Sequence, residues 1–554
     1  MASARTINRL HDLSSTPAVL TRRADAVFPP QYTGYTGSGS PYDATGSGRR
    51  LGQWNPTRLG PTTSLWSTRD LMLARCHDEV RNNPLATSAV DNFESQIIGN
   101  GIKPKWQLKD EALKEQIERE FRLSTSNTAI DYNGKCDFFG LQALAAREIF
   151  EGGEVFVRRH VRPLNWNPNP NVKIPMRVPL QFQLIESEQV PIWLNLSATP
   201  GPIVAKPGSV VRTGKEYDAQ GRLAAYHMYR EHPGETMFFT STALQFVRVP
   251  SDYMLHCYKP FRAGLLRGQP HLSSVLVTLH ELAKYTDAAV VAKQIQAMFA
   301  GFITKLTPEG EVVPVDLPGA PGAAYQPPGV RLGELEPGSL NELYPGEDIR
   351  FPTLPANTDL QTFMSVMLHQ FAAAIGASYE QITGDLKGVN LSSIRAGLQD
   401  VHRKAEQFIY NVVVAQFCTP MMRWWLDEAV LCGRLNLPGY AEEPEQYWDV
   451  SWMPCGWPFV DPDKDVQAKM QAVRCGFTSR EAVCAETGED AADIDAAQVR
   501  DNTRADAIGL VYDCDPRKIL VGKETSPEAT EEGTPESQDE DQEQDQGKPQ
   551  KVGA

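Results

Sequence analysis

From "STRDLMLARCHDEVRNNPLATSAVDNFESQIIG" onward, apolar residues recur every three or four positions, which predicts helix up to the Gly99-Asn100-Gly101 turn. A second helical pattern, "FFGLQALAAREIFEGG", stops at Gly152-Gly153, and the chain then takes up the alternating rhythm of a strand in "EVFVRRHV". Strand signals continue through "LQFQLIESEQVP" and "GKEYDAQGRLAAYHMY", where Asp218 to Gly221 form a hairpin turn between alternating segments. Residues 65–260 therefore predict one α+β domain.

Beyond it the pattern becomes strongly helical. Residues 271–300 predict a long helix with Val275, Leu279, Leu282 and Tyr285 on one side. A Pro/Gly-rich insert with short apolar bits, expected to hold small strands, fills 301–357. A second helix at 359–378 carries Phe363, Met367, Phe371 and Ile375 four apart. After the stretch "ITGDLKGVNLSSIRAG" a third helix runs from Ser392 to about Cys418, roughly 40 Å at 1.5 Å per residue, before Pro420 bends or ends it. Short helical patterns broken at Gly476 and Gly488 predict a small C-terminal helical domain from 461 to about 515.

Composition narrows the class. At 554 residues the chain exceeds one ordinary core, and 41% apolar with 22% charged residues is what a soluble globular protein carries. No run reaches the roughly 18 to 20 uncharged apolar residues of a membrane helix, so no membrane partner is expected. The basic N-terminus lacks an apolar h-region, which argues against a secretory signal. Nine scattered cysteines without a CxxC predict a reduced cytosolic protein with neither structural disulfides nor zinc. Net charge is −15, yet ten acids and no bases lie between Glu524 and Gly547, so two thirds of the surplus sits in a tail expected to be disordered. A protein that grips duplex DNA generally would carry a basic surplus, because neutralised phosphates supply most of that affinity. That surplus is absent.

Candidate chemistry is thin. Gly384 and Gly388 with Lys387 and nearby hydroxyls suggest a phosphate cradle, but a P-loop needs four residues between its glycines and a lysine directly after the second. Here three intervene, Val389 follows, and a helix precedes. In "GSVVRTGKE" five residues separate Gly208 from Gly214, and Glu216 stands where the Mg²⁺-binding hydroxyl belongs. The stretch 384–391 is better read as a helix-to-helix loop with Ser392 or Ser393 as N-cap of the next helix. Ten histidines occur without HExxH or a tight cluster, and there is no GxSxG, so neither catalytic, cofactor nor metal residues are expected. Glu186 and Glu188, alternating on a strand face, are expected to be solvated; Trp448, Trp452, Trp457 and Phe459 are expected to be core.

Six stretches, taken in order, resemble the lambda-type family of phage portal proteins: "RNNPLATSAVDNFESQIIGNGIKPK", "AREIFEGGEVFVRR", "GKEYDAQGRLAAYHMY", "VPSDYMLHCYKPFRAGLLRGQP", "GVNLSSIRAG" and "CGWPFVDPDKDVQA". Each is weak alone; in sequence over about 65–500 they are specific. The resemblance implies an α+β portal fold: a flexible arm at 1–60, a mixed wing at 61–265, stem helices at 266–300 and 358–380 around a small β-containing clip at 301–357, a tunnel loop at 381–391, a long wing helix and return at 392–460, a helical crown at 461–520, and the acidic tail at 521–554. It further implies a homo-oligomeric ring, usually dodecameric, at one vertex of the phage head, assembled in the host cytoplasm and retained in the virion.

Double-stranded DNA would pass without sequence preference, and terminase large subunit, head-completion or tail adaptors, capsid and scaffold proteins would be partners. The DNA-facing residues it implies are Gly384, Asp385, Lys387, Gly388 and Asn390, with no net charge on the loop from Asp385 and Lys387. The competing classes are a capsid shell or scaffold subunit and, against both failed P-loops, a packaging ATPase.

Overall fold

The computed structural model describes residues 56 and 58–510, apart from 164, 167–175, 196–205, 207, 236–244, 299–301, 306–346, 351–359, 388–389 and 459–460. Met1–Gly60 separates as a unit of its own, and the elements below all lie in the second unit, Pro61–Ala554. The predicted arm, the acidic tail, most of the insert, Gly388 and Phe459 lie outside the described residues.

The chain opens with α1 (Pro61–Trp66), α2 (Arg69–Asn82) and α3 (Pro84–Ile97). One helical pattern thus becomes two helices. Pro84 has no N–H to continue α2, and Asn83 turns extended and caps α3 by accepting the Leu85 N–H at 3.0 Å. There follow β1 (Lys103–Trp106), α4 (Glu111–Thr125) and α5 (Phe138–Glu151), the last ended by Gly152-Gly153 as the sequence predicts. The strands β2 (Glu154–Val161), β3 (Leu180–Ile185), β4 (Val210–Arg212), β5 (Lys215–Tyr217), β6 (Leu223–Tyr229), β7 (Phe246–Pro250) and β8 (Met254–Tyr258) make two antiparallel sheets, ordered β3-β2-β8 and β4-β5-β6-β7. The β5–β6 connection is the predicted Asp218–Gly221 hairpin, closed by the Asp218 N–H donating to Arg222 O at 2.9 Å.

Helix α6 (Leu276–Met298) leads to the paired strands β9 (Phe302–Lys305) and β10 (Glu347–Arg350), and α7 (Leu360–Ile375) returns beside α6. Tyr285 of α6 meets Phe363 of α7 edge to face at 5.0 Å between centroids. A five-residue helix α8 (Tyr379–Thr383) precedes the loop, and α9 (Leu391–Phe408) follows it.

Pro420, expected to bend or end the helix, does not end it. Backbone pairing widens to the π pattern over Ile409–Cys418 and tightens again into α10 (Thr419–Leu431), making one helix through the proline. Proline has no N–H with which to continue the pairing, and just before it the pairing is in the π register, with the Thr419 N–H reaching back to Val414 O. In the same turn Gln416 O accepts the Cys257 thiol of β8 at 3.1 Å and Gln416 Oε1 takes the Tyr258 N–H at 3.0 Å, so a neighbouring strand takes up acceptors beside the break.

The described residues close with β11 (Val450–Met453), paired to β1, and the helices α11 (Pro462–Arg474), α12 (Arg480–Glu486) and α13 (Ala491–Ile508). Among the described residues no helix is long and apolar enough to cross a membrane. The largest core gathers Trp106, Phe121, Phe138, Leu141 and Ile149 from the first half around Phe408, Val412, Phe417, Met421 and Trp425 of the continuous helix. Phe121 meets Trp425 edge to face at 4.9 Å, a contact type that contributes about 0.5–1.5 kcal/mol beyond burial. Trp452 is buried in this core, with Trp448 and Trp457 packed at its margin, as the sequence reading expects of the three.

Candidate functional site

The loop after α8 is built from short-range turn chemistry. Gly384 takes the left-handed conformation (φ 68°) that closes a helix, its N–H donating to Glu380 O at 2.8 Å. The Asp385 N–H donates to Thr383 Oγ1 at 3.2 Å and the Lys387 N–H to Asp385 Oδ1 at 3.0 Å, an Asx turn. Leu386 is 64% exposed. Gly384, Asp385 and Lys387 therefore share one exposed turn, with the Asp385 carboxylate turned back onto its own backbone.

The cap of the following helix is a correction. Asn390, not Ser392 or Ser393, is the N-cap of α9: its Oδ1 accepts the Ser393 N–H at 2.9 Å. Ser392 and Ser393 fall inside the first turn, and Ser393 Oγ donates to Asn390 O at 3.0 Å. Both residue types cap helices, so composition alone does not choose; the extended backbone at Asn390 does.

Away from the loop, the chain holds a buried ionic joint. Glu154, at the start of β2, accepts from Arg267 Nε at 2.7 Å and from the Gly268 N–H at 2.5 Å, and pairs with Arg69 at 3.0 Å. All three side chains are almost fully excluded from water. Arg69 also reaches the carbonyls of Gly152 (2.9 Å) and Gly268 (3.0 Å), and Arg267 those of Thr213 (2.9 Å) and Ser187 (3.1 Å).

Burial by itself would raise the Glu154 carboxyl; the Arg267 and Arg69 guanidiniums, with His256, overcome it and hold the group well below the usual carboxylate range. His256 stands 2.7 Å from Glu154 through Nε2 and 2.8 Å from Lys215 Nζ through Nδ1. Burial and then Lys215 push His256 down to about 3, so the ring is neutral, accepting from Lys215 and donating to Glu154. Burial also lowers Lys215 to about 7, with Arg267 adding to the shift and Glu154 opposing it.

Two glycines make this joint possible. A Cβ on Gly268 would lie 2.1 Å from Gly153 O, and one on Gly153 (φ 84°) would lie 2.4 Å from the Gln269 carbonyl carbon. The strand that follows α5 and the segment that enters α6 thus cross backbone to backbone. The sequence reading took Gly152-Gly153 only as a helix stop and missed Glu154; the visible signal was an acid directly before the apolar run Val155-Phe156-Val157.

Neither nucleotide-loop candidate has the shape of one. Gly208–Glu216 is the β4–β5 hairpin with no helix after it. Glu216 is buried, and Arg248 holds it bidentately at 2.7 and 3.1 Å. Burial would raise it; Arg248, the Lys206 N–H and Ser209 outweigh that and bring it to about 2. The 384–391 loop sits between two helices rather than between a strand and a helix.

Glu186 is exposed, as expected of a solvated acid, while Glu188 is half-buried. Neither is on a strand face: Glu188 lies in a 3-10 turn (Ser187–Gln189) that Glu186 directly precedes, and both meet His232 Nε2, at 3.1 and 2.6 Å. The three donor atoms lie within 4.8 Å of one another, a spacing that a cation could bridge. Hydrogen bonding to Glu186 and then Glu188 raises His232 to about 10, so the ring is charged and serves as the counter-ion itself.

A family model described as phage portal protein, lambda family, matches residues 47–408. Among curated proteins, the chain is 27% identical over 394 residues to the "Probable portal protein" of Halomonas phage phiHAP-1, covering 70% of this chain and 69% of that protein. It is 24% identical over 527 residues to the portal protein of Escherichia phage N15 (87% and 92% covered). It is 23% identical over 525 residues to portal protein B of Escherichia phage lambda (87% and 91%). Similar solved chains come from the virion of a native gene transfer agent particle and from the neck of that particle computed with C12 symmetry. At 13% identity they cover 79% of this chain and 96% and 95% of their own, with TM-scores of 0.38 and 0.39. That overlap is too loose to bear on what the chain does, so the assignment rests on the family match, which takes in well over half of the sequence: the chain belongs to the lambda family of phage portal proteins.

Proposed function

We propose that copies of this chain close into a ring, twelve in number, at one vertex of a phage head, and that double-stranded DNA passes through the bore during packaging and ejection. In this reading residues 61–265 with the return at 392–460 are the wing, α6 and α7 the stem, and 301–357 the clip where terminase large subunit and later head-completion and tail-adaptor proteins dock. The loop 381–391 faces the DNA, and 461–520 is the crown. Capsid and scaffold proteins surround the ring, which is assembled in the host cytoplasm and stays in the virion. The chain does no bond chemistry of its own.

The observation that carries the ring is α6. Its apolar residues are spread round the axis rather than gathered on one face. One chain leaves Val277 74% exposed, and Val290, Val291 and, on α7, Phe363 and Val366 are open as well. Apolar side chains outside the face that the chain itself buries are stable when something covers them. Neighbouring copies supply the cover, packed head to tail until the rotation closes, over interfaces that in obligate assemblies run above about 2,000 Å².

The conduit reading follows from charge. Each lysine or arginine that neutralises a phosphate releases counter-ions and adds affinity, so a basic bore would hold DNA that must move. A net-acidic chain whose loop carries Asp385 beside Lys387, with no net charge, contacts DNA sterically and briefly. Sedimentation and negative-stain imaging of the purified chain test the reading: rings far above 61.4 kDa without ATP turnover are expected. A lone monomer, closed shells, or unaided ATP hydrolysis would overturn it.

A further inference from the structure

Among the described residues, the hydrogen bonds of Gly384, Asp385 and Lys387 all end on residues of the loop itself or of α8. Its position must come from its ends. A helix leaves its last carbonyls without intrahelical partners. In α8 two of these, Gln381 O and Ile382 O, lie immediately before the loop, and both are taken up by one face of α3. Asn92 Nδ2 donates to Gln381 O at 2.9 Å, and Ser88 Oγ donates to Ile382 O at 3.3 Å. Asn92 is itself oriented by the Ser88 carbonyl (2.9 Å) one turn earlier. The Ile382 side chain is buried in the core cluster that also holds Val80, Ala86, Val90 and Phe371, so the root is fixed by packing as well as by polar contacts. At the far end Asn390 starts α9, and Arg395, in the next turn, pairs with Asp465 of α11.

We propose that Ser88 and Asn92 at the root, and Asp465 acting on Arg395 beyond the exit, are the positioning residues of the turn 384–387 that follows α8. The loop is slung between α3 and the C-terminal helical region: its own residues shape the turn, and those two elements set where the turn sits. Shifting α11 relative to α3 therefore moves the loop. The functional consequence rests on the reading of this loop as DNA-facing; the positioning statement does not.

The test is hydrogen exchange on the assembled full chain, read alongside DNA packaging. Asn92→Ala should speed exchange of the amides at 382–387 roughly fivefold, the loss expected for one net hydrogen bond, with ring assembly and the α4 amides unchanged. Ser88→Ala should act in the same direction and Ser88→Thr, which keeps the hydroxyl, should restore wild-type exchange. Asp465→Asn should speed exchange at 391–396 without touching α3, and keeps the proposal open to test if Asn92→Ala does not assemble.

Unchanged exchange, or faster exchange spread equally into α4, overturns the positioning proposal. Faster loop exchange with reduced packaging supports both statements. Faster loop exchange with normal packaging supports the positioning and overturns the DNA-facing reading.

Discussion

Replacing Glu154 with glutamine is the sharpest probe of how the sheet is joined to α6. The substitution keeps the shape and removes one charge from a site where Arg69 and Arg267 are both buried and the carboxylate lies 2.7 Å from Arg267 Nε and 3.0 Å from Arg69. Breaking a buried ion pair by removing one partner costs about 3–5 kcal/mol, because the remaining charge has no water to turn to. Here two guanidiniums are left sharing a neutral amide, and its NH₂ end must face a donor, so the upper part of that range applies.

At about 2–4 °C per kcal/mol for a domain of 150–250 residues, the melting transition should fall by about 10 °C or more. Scanning calorimetry at neutral pH measures this directly. The pH dependence gives a second arm. The folded carboxyl is held below its ordinary value, so its contribution is complete above the unfolded carboxylate pKa and is lost as pH falls through the folded one. The gap between wild type and Glu154→Gln should therefore narrow in acid. A neutral-pH shift under about 2 °C, which is less than one kcal/mol, would refute the view that this carboxylate joins β2 to the entry of α6.

Gly268→Ala puts a methyl 2.1 Å from Gly153 O, backbone against backbone, and should yield insoluble chain or a transition lowered by more than Glu154→Gln does; soluble expression and calorimetry report it. Asn390→Ala should cost about 1 kcal/mol, whereas Ser392→Ala should be close to neutral; urea unfolding separates the two and checks which residue caps α9. Lys215 binds its proton less tightly folded (about 7) than unfolded. The unfolded chain therefore holds the extra proton between pH 7 and about 10, and stability should rise with pH across that window. Lys215→Met should flatten that slope in a denaturation series. Lys387→Ala should leave both ring assembly and packaging intact; a ring-competent variant dead for packaging would contradict the weak-contact picture of the loop.

Much of the architecture was legible before any coordinates. The α5 stop at Gly152-Gly153, the strand "EVFVRRHV", the Asp218–Gly221 hairpin, the paired helices around the insert and the C-terminal helices broken at Gly476 and Gly488 all come from periodicity and turn residues acting over a few positions. Those signals are local, and local geometry enforces them whatever the rest of the chain does. The misjudged boundaries were places where a distant group settled a local conflict. Pro420 is expected to bend or end its helix, and the helix does not end there: the pairing widens to the π register before the proline, and Cys257, 159 residues before Gln416, takes the Gln416 carbonyl. Glu186 and Glu188 left the strand pattern for a turn that His232 holds.

By itself, then, the order of residues determined which segments are helix or strand, where they turn, and, through six short stretches in order, the family. Tertiary structure alone decided that Glu154 would find Arg69 and Arg267, that Gly153 and Gly268 would need to be bare, and that α3 would hold the root of the exposed loop. The physical reason is distance along the chain: a buried charge or a helix-end carbonyl must be satisfied, but the sequence does not say by whom until folding brings residues 69, 154 and 267, or 92 and 381, into contact.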